Sequence, residues 1–135
     1  MIEFFIPLKK VPTVTQQQHR ITIRNGKPIV YDSPELKSAR MLFISHLAEH
    51  TPEKMYTSSV RLITKWCFPI TGKHHDGEYK YTRPDTDNLL KLFKDCMTDA
   101  KFWKDDALVV SEITEKFWSA IPGIYVRIEE IKNDK

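Results

Sequence analysis

Two aspartates stand directly before the most regular apolar pattern in the chain. Apolar side chains recur at i, i+4, i+7, i+8 and i+11, which places them on one face of a helix. This spacing predicts a helix from about Asp87 to Ala100 that packs against a core, with Asp85 and Asp87 at its start. The residues of the stripe are Leu89, Phe93, Cys96, Met97 and Ala100.

The other patterns predict strands, a hairpin and one further helix. Asn25-Gly26 between alternating apolar segments is typical of a tight hairpin turn. Ser33 and Pro34 are suited to the N-cap and first position of a helix. That helix ends before Thr51-Pro52 and carries an apolar face of Leu36, Ala39, Leu42, Phe43 and Leu47. Alternation predicts strands at 2–9, 21–24, 28–31, 58–68, 108–118 and 124–131.

These elements predict an α/β (α+β) fold. With 135 residues, 41% of them apolar, the chain has the size of one domain and enough apolar side chains for one core. We therefore expect a single domain over residues 1–135, with a mixed β-sheet of about five strands and two main helices. The segment 58–68 is apolar in part on both faces, which favours a central strand.

The composition also favours a cytoplasmic protein. No apolar run is long enough to span a bilayer, and the N-terminus lacks the basic start of a signal peptide. Cys67 and Cys96 lie in apolar segments and form no CxxC motif, so we expect reduced, buried thiols. No phosphate-binding P-loop is present.

The net charge of +3 is small, but the charge is unevenly distributed. The first 31 residues carry five basic side chains against a single acidic one, whereas residues 105–135 lean acidic. A basic region of this kind can bind a phosphate backbone while acidic groups elsewhere hold a metal, although an ordinary solvated surface explains the charges as well. The basic residues are Lys9, Lys10, Arg20, Arg24 and Lys27.

Asp85, Asp87 and Lys91 are the first candidate site. Hard cations such as Mg²⁺ bind carboxylate oxygens, and phosphoryl-transfer sites add a positive charge near the phosphate. Helix capping is the structural alternative, with Asp87 as N-cap and Asp85 just outside the helix. Lys91 could likewise form a surface pair with Asp87. Capping, however, needs only one carboxylate.

A second acidic pair, Asp105-Asp106, follows the helix. A polar turn before a strand is the simple explanation for it. The turn would return the chain toward the end of the helix near Lys101, which is the wrong end for a meeting with Asp85 unless the next strand runs alongside the helix. Spacing alone leaves this geometry open.

A polar loop at 71–81 holds two further groups of interest. His74 and His75 could bind a metal, but adjacent histidines in an extended chain point apart, so a loop that touches DNA or has no such role fits better. Tyr79 and Tyr81 could stack on unpaired bases. Phe102 and Trp103, just before the second acidic pair, are expected to pack in the core.

With these residues the chain resembles the RusA family of Holliday-junction resolvases. The resemblance extends over most of the chain, and its acidic part is specific. It departs from the family in the N-terminal loop, at Thr15 and residues 16–18, which affects details of DNA contact. The matching stretches are 83–91, Asp95, 102–106, Val109-Val110, Lys116 and 122–126.

The resemblance implies a chemistry and an assembly. It implies that Asp85, Asp87 and Asp106 are the essential acidic residues that hold the metal and that Lys91 is the essential basic residue. It also implies Mg²⁺ as cofactor, with Mn²⁺ as a substitute, and a homodimer that acts on four-way DNA junctions. Candidates for phosphate contacts are Lys9, Lys10, Arg20, Arg24, Arg61 and Lys65.

We therefore expect a Mg²⁺-dependent endonuclease that resolves junctions by paired nicks in recombination and repair. One alternative is a non-catalytic protein of the same fold that binds DNA structures; the intact acid set argues against it. A metal-dependent sugar transferase is a further alternative, but the chain is too short to include a nucleotide-sugar domain.

Overall fold

The computed structural model describes residues 1–14 and 19–132. The expected differences at Thr15 and residues 16–18 lie outside these ranges. None of the described helices is long and apolar enough to cross a membrane. In chain order, the described elements are β1 (Ile2–Pro7), β2 (His19–Arg24), β3 (Lys27–Asp32), α1 (Pro34–Ala48), β4 (Val60–Pro69), α2 (Thr86–Asp99), a 3₁₀ turn (Asp106–Leu108), β5 (Val109–Ser119) and β6 (Gly123–Glu130).

The strands confirm the α/β class and divide into two sheets. Four of them form a mixed sheet in the order β1-β6-β4-β5, in which β4 pairs parallel with β5 and antiparallel with β6. Strands β2 and β3 form a separate two-stranded sheet. The expected sheet of about five strands is thus four strands plus a hairpin, because alternation shows where strands occur but not which strands pair.

Helix α2 connects the two parallel strands. Parallel neighbours need a crossover connection, and α2 supplies it between β4 and β5. Its apolar face lies on the inner face of β4, where Phe93 and Trp66 meet with ring centroids 5.3 Å apart. Phe43 of α1 closes the cluster, 5.2 Å from Phe93 and 6.2 Å from Trp66. Both helices therefore cover one face of the sheet, and β4 is central as expected.

The local signals for the hairpin and the first helix are confirmed. Asn25 and Gly26 both have positive φ, 52° and 76°, the conformation that a two-residue hairpin turn requires. The Ser33 hydroxyl accepts a hydrogen bond from the backbone N–H of Leu36 at 3.2 Å, so Ser33 is the N-cap of α1. Leu42, expected on the buried face, is instead 36% exposed.

Both cysteines are free thiols. Cys96 is buried on α2, and this burial raises the pKa of its thiol to about 12, so it is not a nucleophile near neutral pH. Cys67 differs from the expectation of a buried residue. It lies half-buried on the sheet face that the helices leave uncovered, because it alternates with the core-facing Trp66 and Phe68 along β4.

Candidate active site

Both aspartates of the first acidic pair lie at the start of α2. The helix begins at Thr86, so Asp85 rather than Asp87 occupies the N-cap position, and Asp87 lies in the first turn. Asp85 has the extended backbone of an N-cap, yet its carboxylate makes no capping hydrogen bond. Both residues are exposed, and neither carboxylate has a hydrogen bond or ion pair among the described residues. Capping therefore does not account for this pair.

One open cavity of about 390 Å³ brings Asp87, Lys91 and Asp106 together. Asp87 and Lys91 are one helical turn apart and point to the same side of α2, away from its buried stripe. Asp106 comes from the 3₁₀ turn before β5. The cavity is also lined by Leu90, Lys94, Asp95 and Glu112.

Asp106 reaches this cavity because β5 runs alongside α2 in the opposite direction. Near the middle of the helix, Lys94 Nζ lies 2.5 Å from Glu112 Oε1 of β5. Further along the strand, Lys116 Nζ donates to the carbonyl oxygen of Pro84, just before the helix, at 2.7 Å. This is the arrangement that the spacing left open, with the strand beside the helix.

Asp85 lines the neighbouring cavity instead, with a volume of about 380 Å³. Thr13, Arg83, Pro84 and Asn88 also line it. The structure thus brings Asp87 and Asp106 into one cavity and leaves Asp85 at the edge of another, two residues from Asp87 along the chain.

The two residues of the second acidic pair have different environments. Asp105 Oδ1 accepts a hydrogen bond from the backbone N–H of Ala107 at 2.9 Å and caps the 3₁₀ turn. The Asp106 carboxylate is exposed and has no partner within residues 1–14 and 19–132. The simple explanation of a polar turn therefore applies to Asp105, whereas Asp106 has a carboxylate that the fold does not use.

Lys91 is also exposed, and its ammonium forms no ion pair in the described part of the chain. The surface pair with Asp87 is therefore absent. Two other acids of the cavity are neutralised: Asp95 binds Arg40 at 2.6 Å, and Glu112 binds Lys94. Among the described residues, the charged side chains of the cavity that have no partner are Asp87, Lys91 and Asp106, the three that the sequence analysis identified as site candidates.

The donors fit a hard divalent cation in chemical type. Carboxylate oxygens are the ligands that Mg²⁺ prefers, and this ion is commonly held by one or two carboxylates together with waters and substrate phosphates. Among the described residues, no three His, Cys, Asp or Glu side chains converge closely enough to form a complete metal cluster. Asp87 and Asp106 can therefore supply part of a Mg²⁺ shell, with Asp85 nearby and the remaining positions open to water and substrate.

The six residues expected to contact phosphate are scattered. Lys9, Lys10 and Arg24 are exposed, after β1 and at the end of β2. Arg61 and Lys65 lie on the sheet face opposite the helices, and hence opposite the cavity. Arg61 is 3.6 Å from Glu129, and Lys65 Nζ lies 5.5 Å from the centroid of the Tyr125 ring.

For Arg20, only the backbone, in β2, belongs to the described structure. Arg61 also donates from Nε to Ser111 Oγ at 3.0 Å, so its guanidinium already has two partners in the sheet. The structure therefore does not gather the six basic residues on one surface with the acidic cavity, and their role in phosphate contact stays a prediction.

Aromatic and basic residues of the 71–81 loop pack against Trp118 of β5. The His74 ring stacks on Trp118 with centroids 4.3 Å apart, and His74 Nδ1 is 2.5 Å from Glu78 Oε2. Lys80 Nζ lies 4.5 Å from the centroid of the Trp118 ring. Burial lowers the pKa of Lys80, and the positive charge of Lys116 lowers it further. His74 is thus engaged in packing rather than in a metal site.

Aromatic residues near the site are distributed as follows. Phe102 and Trp103 are fully buried, which confirms the expected core role. Tyr79 stacks on Phe117 and donates to Glu115, whereas Tyr81 is 85% exposed. Base stacking by Tyr81 stays a prediction.

Sequence reasoning missed the function of two lysines. Lys116 binds the carbonyl oxygens of Thr82 and Pro84, and Lys80 binds that of Arg83. The Lys80 contact spans three residues, whereas the Lys116 contacts join β5 to a segment more than 30 residues earlier in the chain, which no spacing rule predicts. Only the family resemblance drew attention to Lys116.

Comparison with known proteins identifies relatives over nearly the whole chain. The family described as Endodeoxyribonuclease RusA matches residues 10–129. The crossover junction endodeoxyribonuclease rusA of Lactococcus phage r1t is 32% identical over 131 residues, which cover 96% of this chain and 98% of the relative. The uncharacterized protein YqaN of Bacillus subtilis (strain 168) is 30% identical over 129 residues, covering 87% and 90%.

Proposed function

The chain belongs to the RusA family of endodeoxyribonucleases, and from this premise we propose that it resolves four-way DNA junctions by metal-dependent hydrolysis of phosphodiester bonds. The observation that carries the proposal is the cavity lined by Asp87, Lys91 and Asp106. Its two carboxylates and its ammonium are exposed and have no partners among the described residues, so they are available to a metal and a phosphate, and phosphodiester hydrolysis uses both types of group.

The carboxylates would hold Mg²⁺, with Mn²⁺ as a substitute. Asp87 and Asp106 provide oxygen donors from two different elements, and Asp85 adds a third carboxylate near the first turn of α2. When bound, the ion supplies a Lewis acid for the scissile phosphate and lowers the pKa of a water molecule. The first turn of α2 adds backbone N–H groups that orient toward an anion.

Lys91 would stabilise the negative charge on the phosphate. Its ammonium lies on the same side of α2 as Asp87 and, within the described structure, is not neutralised by a carboxylate. A fixed positive charge placed where charge accumulates in the transition state lowers the barrier. A lysine serves as a compact point charge for a phosphate oxygen, whereas arginine would bind it through a planar fork.

A four-way junction fits a two-fold symmetric enzyme. The relative from Lactococcus phage r1t is named a crossover junction endodeoxyribonuclease. A junction has two strands to nick symmetrically, so a C2 homodimer with one cavity in each protomer would place one site at each strand. We therefore propose a homodimer as the active form, working in recombination and repair.

A cleavage assay tests this function directly. Four-way junctions, flaps and linear duplexes of equal length are incubated with the protein in Mg²⁺, in Mn²⁺ and in EDTA. We expect paired nicks in the junction with either metal, at least about tenfold slower cutting of linear duplex, and no cutting in EDTA. Equal cutting of all substrates would contradict junction resolution, and cutting in EDTA would contradict the metal.

Junction binding should weaken steeply with salt. If the dimer neutralises about six phosphates in total, counterion release predicts a loss of affinity of about 10³-fold between 50 and 200 mM salt. The measurement is a binding titration without metal, so that no cleavage occurs, repeated at several salt concentrations. An affinity that changes less than twofold over this range would contradict binding dominated by phosphate contacts.

A further inference from the structure

Two lysine ammonium groups bind three consecutive carbonyl oxygens immediately before the acidic pair. Lys116 Nζ donates to the carbonyl oxygens of Thr82 and Pro84, each at 2.7 Å. Lys80 Nζ donates to the carbonyl oxygen of the residue between them, also at 2.7 Å. The residue that follows Pro84 is Asp85. The backbone that leads into α2 is thus held at three successive peptide groups.

Lys116 projects from the most firmly paired part of this region. It lies on β5, opposite Trp66 of the central strand β4. On the other edge of β5, Lys116 O accepts from the backbone N–H of Lys80 at 2.9 Å, and Trp118 O accepts from that of Gly77 at 2.8 Å. Because β5 is hydrogen-bonded along both edges here, the backbone from which Lys116 projects is held in place.

The same strand also follows Asp106 directly. The 3₁₀ turn that contains Asp106 leads into β5 at Val109, and Lys116 lies seven residues further along that strand. The strand is therefore linked to Asp106 through the 3₁₀ turn that precedes it and, through Lys116, to the segment that carries Asp85. The strand thus connects Asp85 and Asp106, which are 21 positions apart in the chain and line different cavities.

We propose that Lys116 is a positioning residue that fixes Asp85 relative to Asp87 and Asp106. The inference deepens the proposed function and rests on it. An ammonium has three N–H donors, and Lys116 donates two of them to carbonyl oxygens. Its side chain therefore has a structural role in the free protein and is not only a surface charge available for DNA contact. Its proximity to a second cation, Lys80, is unfavourable by itself, and the carbonyl oxygens compensate for it.

Replacement of Lys116 by methionine removes the charge and the donors but keeps the length of the side chain. We expect kcat for the junction to fall by about 10- to 100-fold, while KM changes less than twofold. The affinity for Mn²⁺, measured by electron paramagnetic resonance without DNA, should fall by about tenfold. Lys54→Met is the matched control: an exposed lysine outside the site with the same change in charge, and it should leave all three quantities unchanged.

Three results would each overturn this assignment. If Lys116 instead contacts a DNA phosphate, Lys116→Met raises KM and lowers the salt slope of binding by about one, with kcat retained. If Lys116 only stabilises the fold, kcat and Mn²⁺ affinity of the folded variant match those of the wild type. Lys116→Arg keeps the charge and two donors, and we expect it to recover most of kcat; no recovery would also contradict the proposal.

A measurement independent of cleavage separates this inference from the proposed function. Backbone order parameters from ¹⁵N NMR report the rigidity of residues 82, 83 and 85 without DNA or metal. We expect lower values in Lys116→Met, or in the milder Lys116→Gln if the methionine variant is unstable, and unchanged values in Lys54→Met. Unchanged values at residue 85 would refute the role of Lys116 even if the wild type cuts junctions. Failure of the wild type to cut would refute the function alone.

Discussion

Asp87→Asn should abolish junction cleavage and leave junction binding intact. The substitution removes a negative charge from a cavity in which Asp87 has no partner among the described residues, and the amide is a much poorer ligand for Mg²⁺. We expect kcat to fall by at least about 10³-fold. Binding without metal should stay the same or become tighter, because one charge that repels the phosphates is lost. Gel-shift titration and single-turnover cleavage measure the two quantities separately.

Asp99→Asn provides the control within the same helix. Asp99 is exposed at the last position of α2, and the substitution causes the same change in net charge far from the first turn. An acid at that end of a helix opposes the dipole, so the amide should not reduce stability. We expect full cleavage by this variant. If Asp87→Asn cuts as fast as Asp99→Asn, Asp87 is not a metal ligand.

Local signals in the sequence were sufficient for the hairpin and the first helix. A two-residue hairpin turn requires positive φ, which Asn25 and Gly26 adopt readily. Ser33 followed by Pro34 supplies an N-cap and a first helical residue. Each of these features depends on no more than four consecutive residues. The buried stripe of α2 was likewise clear from its period. The exposed Leu42 shows the limit, because the width of the buried face depends on what packs against the helix.

Contacts between distant segments could not be predicted in this way. The pairing of β4 with β5, and hence the direction of β5 along α2, decides whether Asp106 can share a cavity with Asp87. The hydrogen bonds from Lys116 to the carbonyl oxygens of Thr82 and Pro84 depend on the same position of β5 beside α2. Spacing along the chain contains no information on either, whereas resemblance to a family did point to Asp106.

Adjacent aspartates at positions 105 and 106 should give opposite results when each is replaced by alanine. Asp105→Ala removes the carboxylate that caps the 3₁₀ turn, at a cost of about 1 kcal/mol in the free energy of unfolding, but should retain cleavage. Asp106→Ala removes a carboxylate with no partner in the described structure. It should leave the free energy of unfolding within about 0.5 kcal/mol and reduce kcat by at least about 10³-fold.

Urea unfolding and single-turnover cleavage of both variants test this contrast. The two substitutions remove the same atoms and the same charge from neighbouring positions. A nonspecific effect of the lost charge, or of protein preparation, would therefore change stability and cleavage equally in both variants. Only the different environments of the two carboxylates predict that stability falls in one variant and catalysis in the other. A loss of cleavage in Asp105→Ala with cleavage retained in Asp106→Ala would reassign the third acid of the site to Asp105. Cleavage retained in both would remove this turn from the site and leave the first turn of α2 as the source of acidic ligands.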